Sequence, residues 1–187
     1  MDYADFYLVS DSHTRGALNL IPKLKLEIDI NQVFRNELIP AIVIEFFPSG
    51  GKKTFDLLNS GHAGIYLISR MIFDLFKINN ISGWNAIQAK ISGFENFEYF
   101  LLTIKGRCGA IDHKKSEFIL KPPLTPTGKP FVAKRGLFFD LNSWDGSDIF
   151  TPDKSRFTIV TEKVKKLLIE SKATNITVEN IINFEMI

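Results

Sequence analysis

Residues 157–168 read Phe-Thr-Ile-Val-Thr-Glu-Lys-Val-Lys-Lys-Leu-Leu, and this stretch contains the pattern that decides the fold. Its first residues are mostly of the aromatic and β-branched types that favour strands, so they predict a short buried strand ending at Thr161. Val164, Leu167 and Leu168 then follow at helical spacing and form one apolar stripe. The stretch therefore predicts a strand that turns directly into an amphipathic helix.

The same pattern occurs upstream at residues 65–76, which read Ile-Tyr-Leu-Ile-Ser-Arg-Met-Ile-Phe-Asp-Leu-Phe. Ser69 takes the place of Thr161 at an offset of 92 residues, and both are predicted helix N-caps. Chance similarity is the alternative, because amphipathic units of this kind are common. Two strand–helix–strand units predict an α+β fold, with a mixed, largely antiparallel sheet on which two helices pack.

The segments around the two units predict further strands. Phe97–Ile104 is apolar on both faces, which is typical of a central strand. Thr54–Asn59 predicts a short helical turn. The other predicted strands are residues 23–30, Ala41–Phe47, Cys108–Ile111 (paired back as a hairpin), Glu117–Lys121 and Gly136–Leu141.

A chain of 187 residues fits a single domain, residues 1–187. Residues 122–130 contain four of the eight prolines and predict a stiff extended loop. That loop is the possible boundary between two halves, residues 1–121 and 131–187.

Composition excludes several classes of function. With 23 basic and 21 acidic residues the net charge is +2, which predicts no nucleic-acid partner. The single cysteine, Cys108, permits no internal disulfide and favours a reducing compartment. The acidic N-terminus does not resemble a signal peptide, and no run of about 18 apolar residues predicts a membrane span. We therefore expect a cytoplasmic protein.

The sequence contains no recognisable catalytic or metal-binding motif. None of His13, His62 and His113 lies in a metal-ligand spacing, and no G-x-S-x-G motif occurs. The glycine-bearing loop Ser60–Gly64 precedes a strand, whereas a phosphate-binding loop follows one. We expect no catalytic residue, no metal and no cofactor.

Two polar segments are candidates for binding. Trp144 lies beside Asp145 and Asp148, and this combination could contact a basic partner, although an Asp-Gly turn explains the carboxylates equally simply. Asp112 and Ser116 flank two lysines, and both side chains could instead bond their own backbone.

Several short motifs resemble those of a family of bacterial immunity proteins from polymorphic toxin systems. The similarity extends from about residue 55 to the C-terminus and departs from the family pattern at Asn175, where a glycine is usual. The motifs, in chain order, are Asp56-Leu-Leu, Gly64-Ile-Tyr-Leu-Ile-Ser-Arg70, Ala110-Ile-Asp-His-Lys-Lys-Ser116, Gly146-Ser-Asp-Ile-Phe150, Phe157-Thr-Ile-Val-Thr-Glu-Lys-Val164 and the strand from Asn175-Ile-Thr.

This resemblance implies a cytoplasmic protein that binds and neutralises one cognate protein toxin and needs no catalytic residues of its own. Two alternatives stay open: a small-ligand-binding protein or enzyme with a site around Asp112–Ser116, and a structural homo-oligomer. The oligomeric state is left open as well. The predicted toxin-binding residues are Asp112, Ser116, Trp144, Asp145 and Asp148.

Overall fold

The computed structural model describes residues 2–23, 29–38 and 43–186, and the fold is mostly β with few helices. The helices of the described residues are α1 (Ile30–Phe34), α2 (Arg70–Ile78) and α3 (Glu162–Glu170). The strands are β1 (Phe6–Asp11), β2 (Asn19–Lys23), β3 (Ile44–Gly50), β4 (Leu57–Asn59), β5 (Tyr66–Ser69), β6 (Trp84–Ile91), β7 (Tyr99–Ile104), β8 (Gly106–Cys108), β9 (Glu117–Lys121), β10 (Phe131–Arg135), β11 (Ile149–Pro152), β12 (Thr158–Thr161), β13 (Ile176–Asn180) and β14 (Glu185–Met186).

The strands form three units where the sequence predicted one mixed sheet. Six strands close into a barrel in the order β2-β3-β6-β7-β5-β4. A five-stranded sheet has the order β13-β1-β12-β11-β8, and a three-stranded sheet has the order β14-β10-β9. The pairing is largely antiparallel, but β3 with β6, β2 with β4 and β8 with β11 are parallel. Hydrophobic alternation identifies strands without specifying their partners, so the closed barrel could not be predicted from it.

The central strand was predicted correctly. All six residues of β7 are buried, and β7 pairs with β6 on one side and with β5 on the other. Because α1, α2 and β11 lie against this strand, both of its faces are covered. A strand covered on both faces is apolar at consecutive positions, as this one is.

The two strand–helix–strand units coincide at an offset of 92 residues. β5 and β12, α2 and α3, and the first residues of β6 and β13 all correspond under this offset. The buried residues of α2, Ile72 and Phe76, correspond to Val164 and Leu168 in α3. The repeat is therefore a structural one.

A third strand lies between the two parallel strands of each unit. β7 pairs antiparallel with both β5 and β6, and β1 pairs antiparallel with both β12 and β13. β4 and β11, which also correspond under the offset, pair with β5 and β12. The two four-stranded arrangements are thus alike, although β7 follows its unit in the sequence and β1 comes from the N-terminus.

Three local predictions were wrong. Thr54–Asn59 contains β4 instead of a helical turn, because Leu57 and Leu58 are buried in the barrel wall against β5. The strand predicted at Cys108–Ile111 is β8, which ends at Cys108 and pairs parallel with β11 and not as a hairpin. No strand forms at Gly136–Leu141: β10 ends at Arg135, and the chain turns at Gly136, which has a φ of +88°.

Two predicted strands fall partly outside the described residues. In the prediction for residues 23–30, positions 24–28 are not described, while β2 ends at Lys23 and α1 begins at Ile30 with Asp29 as its N-cap. In the prediction for Ala41–Phe47, positions 41–42 are not described, and β3 begins at Ile44.

The proline-rich loop of residues 122–130 joins two paired strands. β9 and β10 pair antiparallel over five positions, so the loop closes a hairpin. The segment that follows β10 contributes Leu137 and Phe139 to the smaller of two hydrophobic cores, which also contains Phe6 and Phe150. Neither the single domain nor its possible halves is tested by these contacts, and both stay predictions.

Candidate functional site

Asp112 and Ser116 lie at the base of the β9–β10 hairpin. The backbone N–H of Asp112 donates to the carbonyl of Phe138, and its carboxylate accepts from the backbone N–H of Lys114 at 3.1 Å. Ser116 is buried, and its hydroxyl donates to the carbonyl of Gly136 at 2.8 Å. The side chain of Ser116 and the backbone of Asp112 therefore hold the hairpin base, while the carboxylate of Asp112 orders the local turn at Lys114 and remains partly exposed.

Trp144 and Asp145 lie beside the smaller core. The half-buried ring of Trp144 packs edge-on against Phe6 with centroids 5.1 Å apart, and its indole N–H donates to the carbonyl of Ser147. Asp145 is exposed, and its carboxylate accepts from the backbone N–H groups of Arg107 at 2.7 Å and Ser147 at 3.0 Å. The carboxylate thus orders a turn and is also accessible to solvent.

Asp148 belongs to a polar cluster at the start of α3. Its carboxylate accepts from the backbone N–H and the hydroxyl of Ser82, at 2.9 and 3.0 Å, and from the hydroxyl of Thr161 at 3.4 Å. Lys163 is 3.3 Å away. Partial burial alone raises the pKa of Asp148, but the Ser82 hydrogen bonds and the Lys163 charge outweigh it and hold the pKa below its usual value.

A second cluster matches the first at the 92-residue offset, and sequence reasoning missed it. The carboxylate of Asp56 accepts from the backbone N–H and hydroxyl of Thr174, at 2.8 and 2.6 Å, and from the hydroxyl of Ser69 at 2.8 Å. Asp56 corresponds to Asp148, and Thr174 to Ser82. The offset that aligned Ser69 with Thr161 could have identified both carboxylates.

The two clusters join the repeats reciprocally. Asp56 of the first repeat bonds Thr174 of the second, and Asp148 of the second bonds Ser82 of the first. The N–H groups that follow the two carboxylates, those of Leu57 and Ile149, donate to the carbonyls of Thr174 and Ser82. The backbone and hydroxyl hydrogen bonds named here thus correspond on the two sides, whereas the ion pair of Lys163 with Asp148 has no counterpart because Met71 occupies the equivalent position.

Thr161 does not cap its helix as predicted, whereas Ser69 does. The hydroxyl of Ser69 accepts from the N–H of Ile72 while donating to Asp56. Thr161 occupies the N-cap position without a side-chain cap bond, and its hydroxyl donates to Asp148. Asn175, which replaces the usual glycine, has a φ of +59°, a conformation that asparagine tolerates better than most residues.

The second feature that sequence reasoning missed is an exposed apolar surface on the hairpin. Phe118, Leu120 and Val132 are large apolar side chains on β9 and β10, and all three are exposed. Residues of these types are usually buried, so the sequence alone gave no reason to expect them at the surface.

Of the five predicted contact residues, Asp112 and Trp144 lie at the edges of the smaller core, while Asp148 belongs to the cluster that joins the repeats.

A surface depression of about 530 Å³ lies elsewhere, between α1 and the segment after β11, and Arg35 and Arg156 contribute to its lining. Burial and the charge of Arg35 lower the pKa of the nearby Arg107.

The described residues supply neither a metal-binding group nor a membrane span. Within residues 2–23, 29–38 and 43–186, no three His, Cys, Asp or Glu side chains lie together in a way that could hold a metal ion. In the same part of the chain, no helix combines the length and apolar content that crossing a membrane requires.

Comparison with known proteins places the chain in a family. No curated protein matches it significantly. Residues 21–183, which include both repeats and the hairpin, match the profile of the Immunity protein family (Imm11). Because the match covers most of the chain, this protein belongs to the Imm11 immunity protein family.

Proposed function

We propose that this protein binds one cognate toxin and neutralises it by covering the toxin's surface, without catalysis of its own. The observation that carries the proposal is the family match over residues 21–183. We place this action in the cytoplasm, because a protein with one free, buried cysteine is compatible with a reducing compartment.

The geometry around Ser116 does not support the alternative of an enzyme site at Asp112–Ser116. A serine nucleophile needs an adjacent base to take its proton. The hydroxyl of Ser116 donates to the carbonyl of Gly136, which is no base, and the side chain is buried. This arrangement supports a structural role for Ser116 and gives no support to an enzyme site at this segment.

The proposal is tested by protection and by stoichiometry. The probe is the toxin encoded by the neighbouring gene, expressed in a bacterial host with and without this protein. We expect a host that expresses the toxin to survive only when this protein is expressed as well. In vitro, toxin activity should fall linearly and vanish at one protein per toxin, because occlusion consumes one binder for each target.

Two results would contradict the proposal. Continued killing at equal expression of both proteins would remove the immunity role for this toxin. Complete protection at a small fraction of one equivalent would show turnover, and would replace occlusion with catalysis.

The contact residues predicted from sequence stay part of the proposal. Asp112 and Asp145 expose their carboxylates, so alanine at either position should weaken toxin binding. Because Asp145 also accepts from the backbone N–H groups of Arg107 and Ser147, the effect of Asp145→Ala on binding is compared with its effect on the melting temperature. Ser116, Trp144 and Asp148 also support the fold, so any loss of toxin binding in variants at these positions has to be compared with their loss of stability. Binding unchanged in both the Asp112→Ala and Asp145→Ala variants would remove these carboxylates from the interface.

A further inference from the structure

The β9–β10 hairpin presents large apolar side chains on one face. In the antiparallel register, Phe118 lies opposite Lys134 and Leu120 lies opposite Val132. Since side chains alternate between the faces of a strand, these four residues share one face. Phe118, Leu120 and Val132 are 67%, 73% and 60% exposed, and the Lys134 ammonium lies 5.7 Å from the centre of the Phe118 ring.

The opposite face of the same sheet is occupied. Ala133 is buried, and Arg135 forms ion pairs with Glu117 and Glu185. The hairpin is thus packed and charge-paired on one side and apolar and open on the other. Contiguous exposed apolar surface of this kind marks interaction sites in soluble proteins.

The exposed face is held in a rigid frame. Four prolines restrict the backbone of the loop at residues 122–130, and the exposed side chain of Leu124 extends the apolar surface into that loop. The hydroxyl of Ser116 closes the base of the hairpin by donating to Gly136. A surface that is already ordered loses less entropy on binding, which favours affinity.

The segment that contains the hairpin is basic, and Lys134 is the charged residue among the four that share the open face, whereas Glu117 and Arg135 pair on the opposite face. Residues 112–135 together with 185–186 contain six basic and three acidic residues, a net charge of +3. The whole chain, with 23 basic and 21 acidic residues, carries only +2, so the remainder carries −1. A complementary partner surface has an apolar centre surrounded by carboxylates.

We propose that the open face of the β9–β10 hairpin is the toxin-contacting surface, and that it receives an apolar patch rimmed by acidic residues on the cognate toxin. This inference rests on the proposed immunity function. A second copy of this protein fits the face less well, because self-association would bring the two positively charged surroundings together.

The hairpin face supplies the centre of the interface and not all of it. Strands of five residues are about 17 Å long and neighbouring strands lie about 4.8 Å apart, so three strands offer a face of roughly 200 Å². A standard interface covers about 800 Å² on each partner. Phe118 and Leu120 therefore have the central position that binding hot spots occupy, with the surrounding loops as the rim.

The test compares the Phe118→Ser/Leu120→Ser variant with Ile78→Ser/Ile169→Ser. The control pair is also apolar and exposed, at 78% and 60%, but lies on α2 and α3. Affinity for the catalytically inactivated toxin of the neighbouring gene is measured by calorimetry, and protection is measured in the host. We expect the hairpin variant to bind at least about 30-fold more weakly, the loss typical of a hot spot, and the control to bind normally.

A charge reversal gives a second readout. Lys134→Glu should slow association with the toxin, and the difference from the wild type should shrink at high salt, because steering by charge is screened. Lys105→Glu, an exposed lysine at the far end of β7, is the matched control. Equal association rates for the two variants would contradict the charge argument.

The outcomes separate this inference from the function on which it rests. Wild-type protection together with unchanged binding by the hairpin variant would overturn the contact surface and leave the immunity role intact. Absence of wild-type binding and protection would overturn both. A wild-type dimer in sedimentation that the hairpin variant dissociates would assign the face to a second copy, which also overturns the inference.

Discussion

Replacing Asp56 by alanine tests whether the reciprocal polar clusters hold the two repeats together. Asp56 lies before β4 in the first repeat, and its carboxylate accepts three hydrogen bonds. Two of them come from Thr174 in the second repeat, at 2.8 and 2.6 Å, and one comes from Ser69 at the start of α2. Alanine removes all three acceptor contacts and leaves the donors in place.

The expected loss of stability follows from these contacts. A hydrogen bond to a charged group contributes about 1.5–3 kcal/mol, so three bonds at the lower value contribute at least about 4 kcal/mol. Thr174 is exposed, so water takes over part of the lost bonding in the variant. We therefore expect Asp56→Ala to lower the free energy of unfolding by about 2–3 kcal/mol.

Urea unfolding followed by circular dichroism measures this loss, with Asp74→Ala as the matched control. Asp74 is an exposed carboxylate that pairs with Arg70 at 2.7 Å along α2, and such a pair contributes about 0.5 kcal/mol or less. If Asp56→Ala costs no more than Asp74→Ala, the cluster does not stabilise the junction of the repeats.

A double-mutant cycle tests the reciprocal pairing itself. Asp56 bonds Thr174 and not Ser82, although Ser82 occupies the equivalent position in its own repeat. The Asp56→Ala and Thr174→Ala exchanges should couple by about 1–2 kcal/mol, while Asp56→Ala and Ser82→Ala should be additive within about 0.5 kcal/mol. The reverse result would assign each carboxylate to its own repeat and refute the arrangement.

Three further predictions concern single sites. The pKa of Asp148 in the folded state lies below its unfolded value of about 3.9. The ionised carboxylate therefore stabilises the fold fully above about pH 5, and this contribution is lost as the pH falls through the folded-state pKa. The urea midpoint should consequently fall less on acidification in Asp148→Asn than in the wild type. Burial raises the pKa of Cys108 to about 12, so iodoacetamide at pH 8 should label this thiol, as detected by mass spectrometry, only after unfolding. Gly83→Ala should lower the melting temperature more than Gly93→Ala, because both glycines have a positive φ but only a Cβ at position 83 would meet a backbone oxygen, that of Ile149 at 2.0 Å.

Sequence patterns predicted the repeated units well because the residues that define each strand and helix lie close together in the sequence. The apolar stripe of α3 and its counterpart in α2 fix which side of each helix is buried, and Ser69 identifies where α2 begins. The six buried residues of β7 likewise predicted a central strand. In each case, the residues that carry the pattern lie within about ten positions of one another.

The arrangement of these units depends on contacts between distant residues, which no local pattern contains. β1 pairs with β12 and β13 more than 140 residues away, and the barrel closes through the parallel pairing of β2 with β4 and β3 with β6. At the candidate site, the predicted contact residues Trp144 and Asp148 have partners, Phe6 and Ser82, that lie far away in the sequence. Short motifs could therefore suggest the family but not the contacts.

The repeats and the hairpin differ in whether their side chains already have partners within the fold. In each repeat the polar groups at the start of the helix, such as Asp56 and Asp148, are directed to the other repeat, so they are already satisfied within the fold. The hairpin lies between the two repeats in the sequence. Its apolar face has no such partner within the described residues, because Phe118, Leu120 and Val132 all remain exposed. If the proposed toxin contact lies on this face, its residues can vary while the contacts that join the repeats stay unchanged, because the two sets of residues are separate.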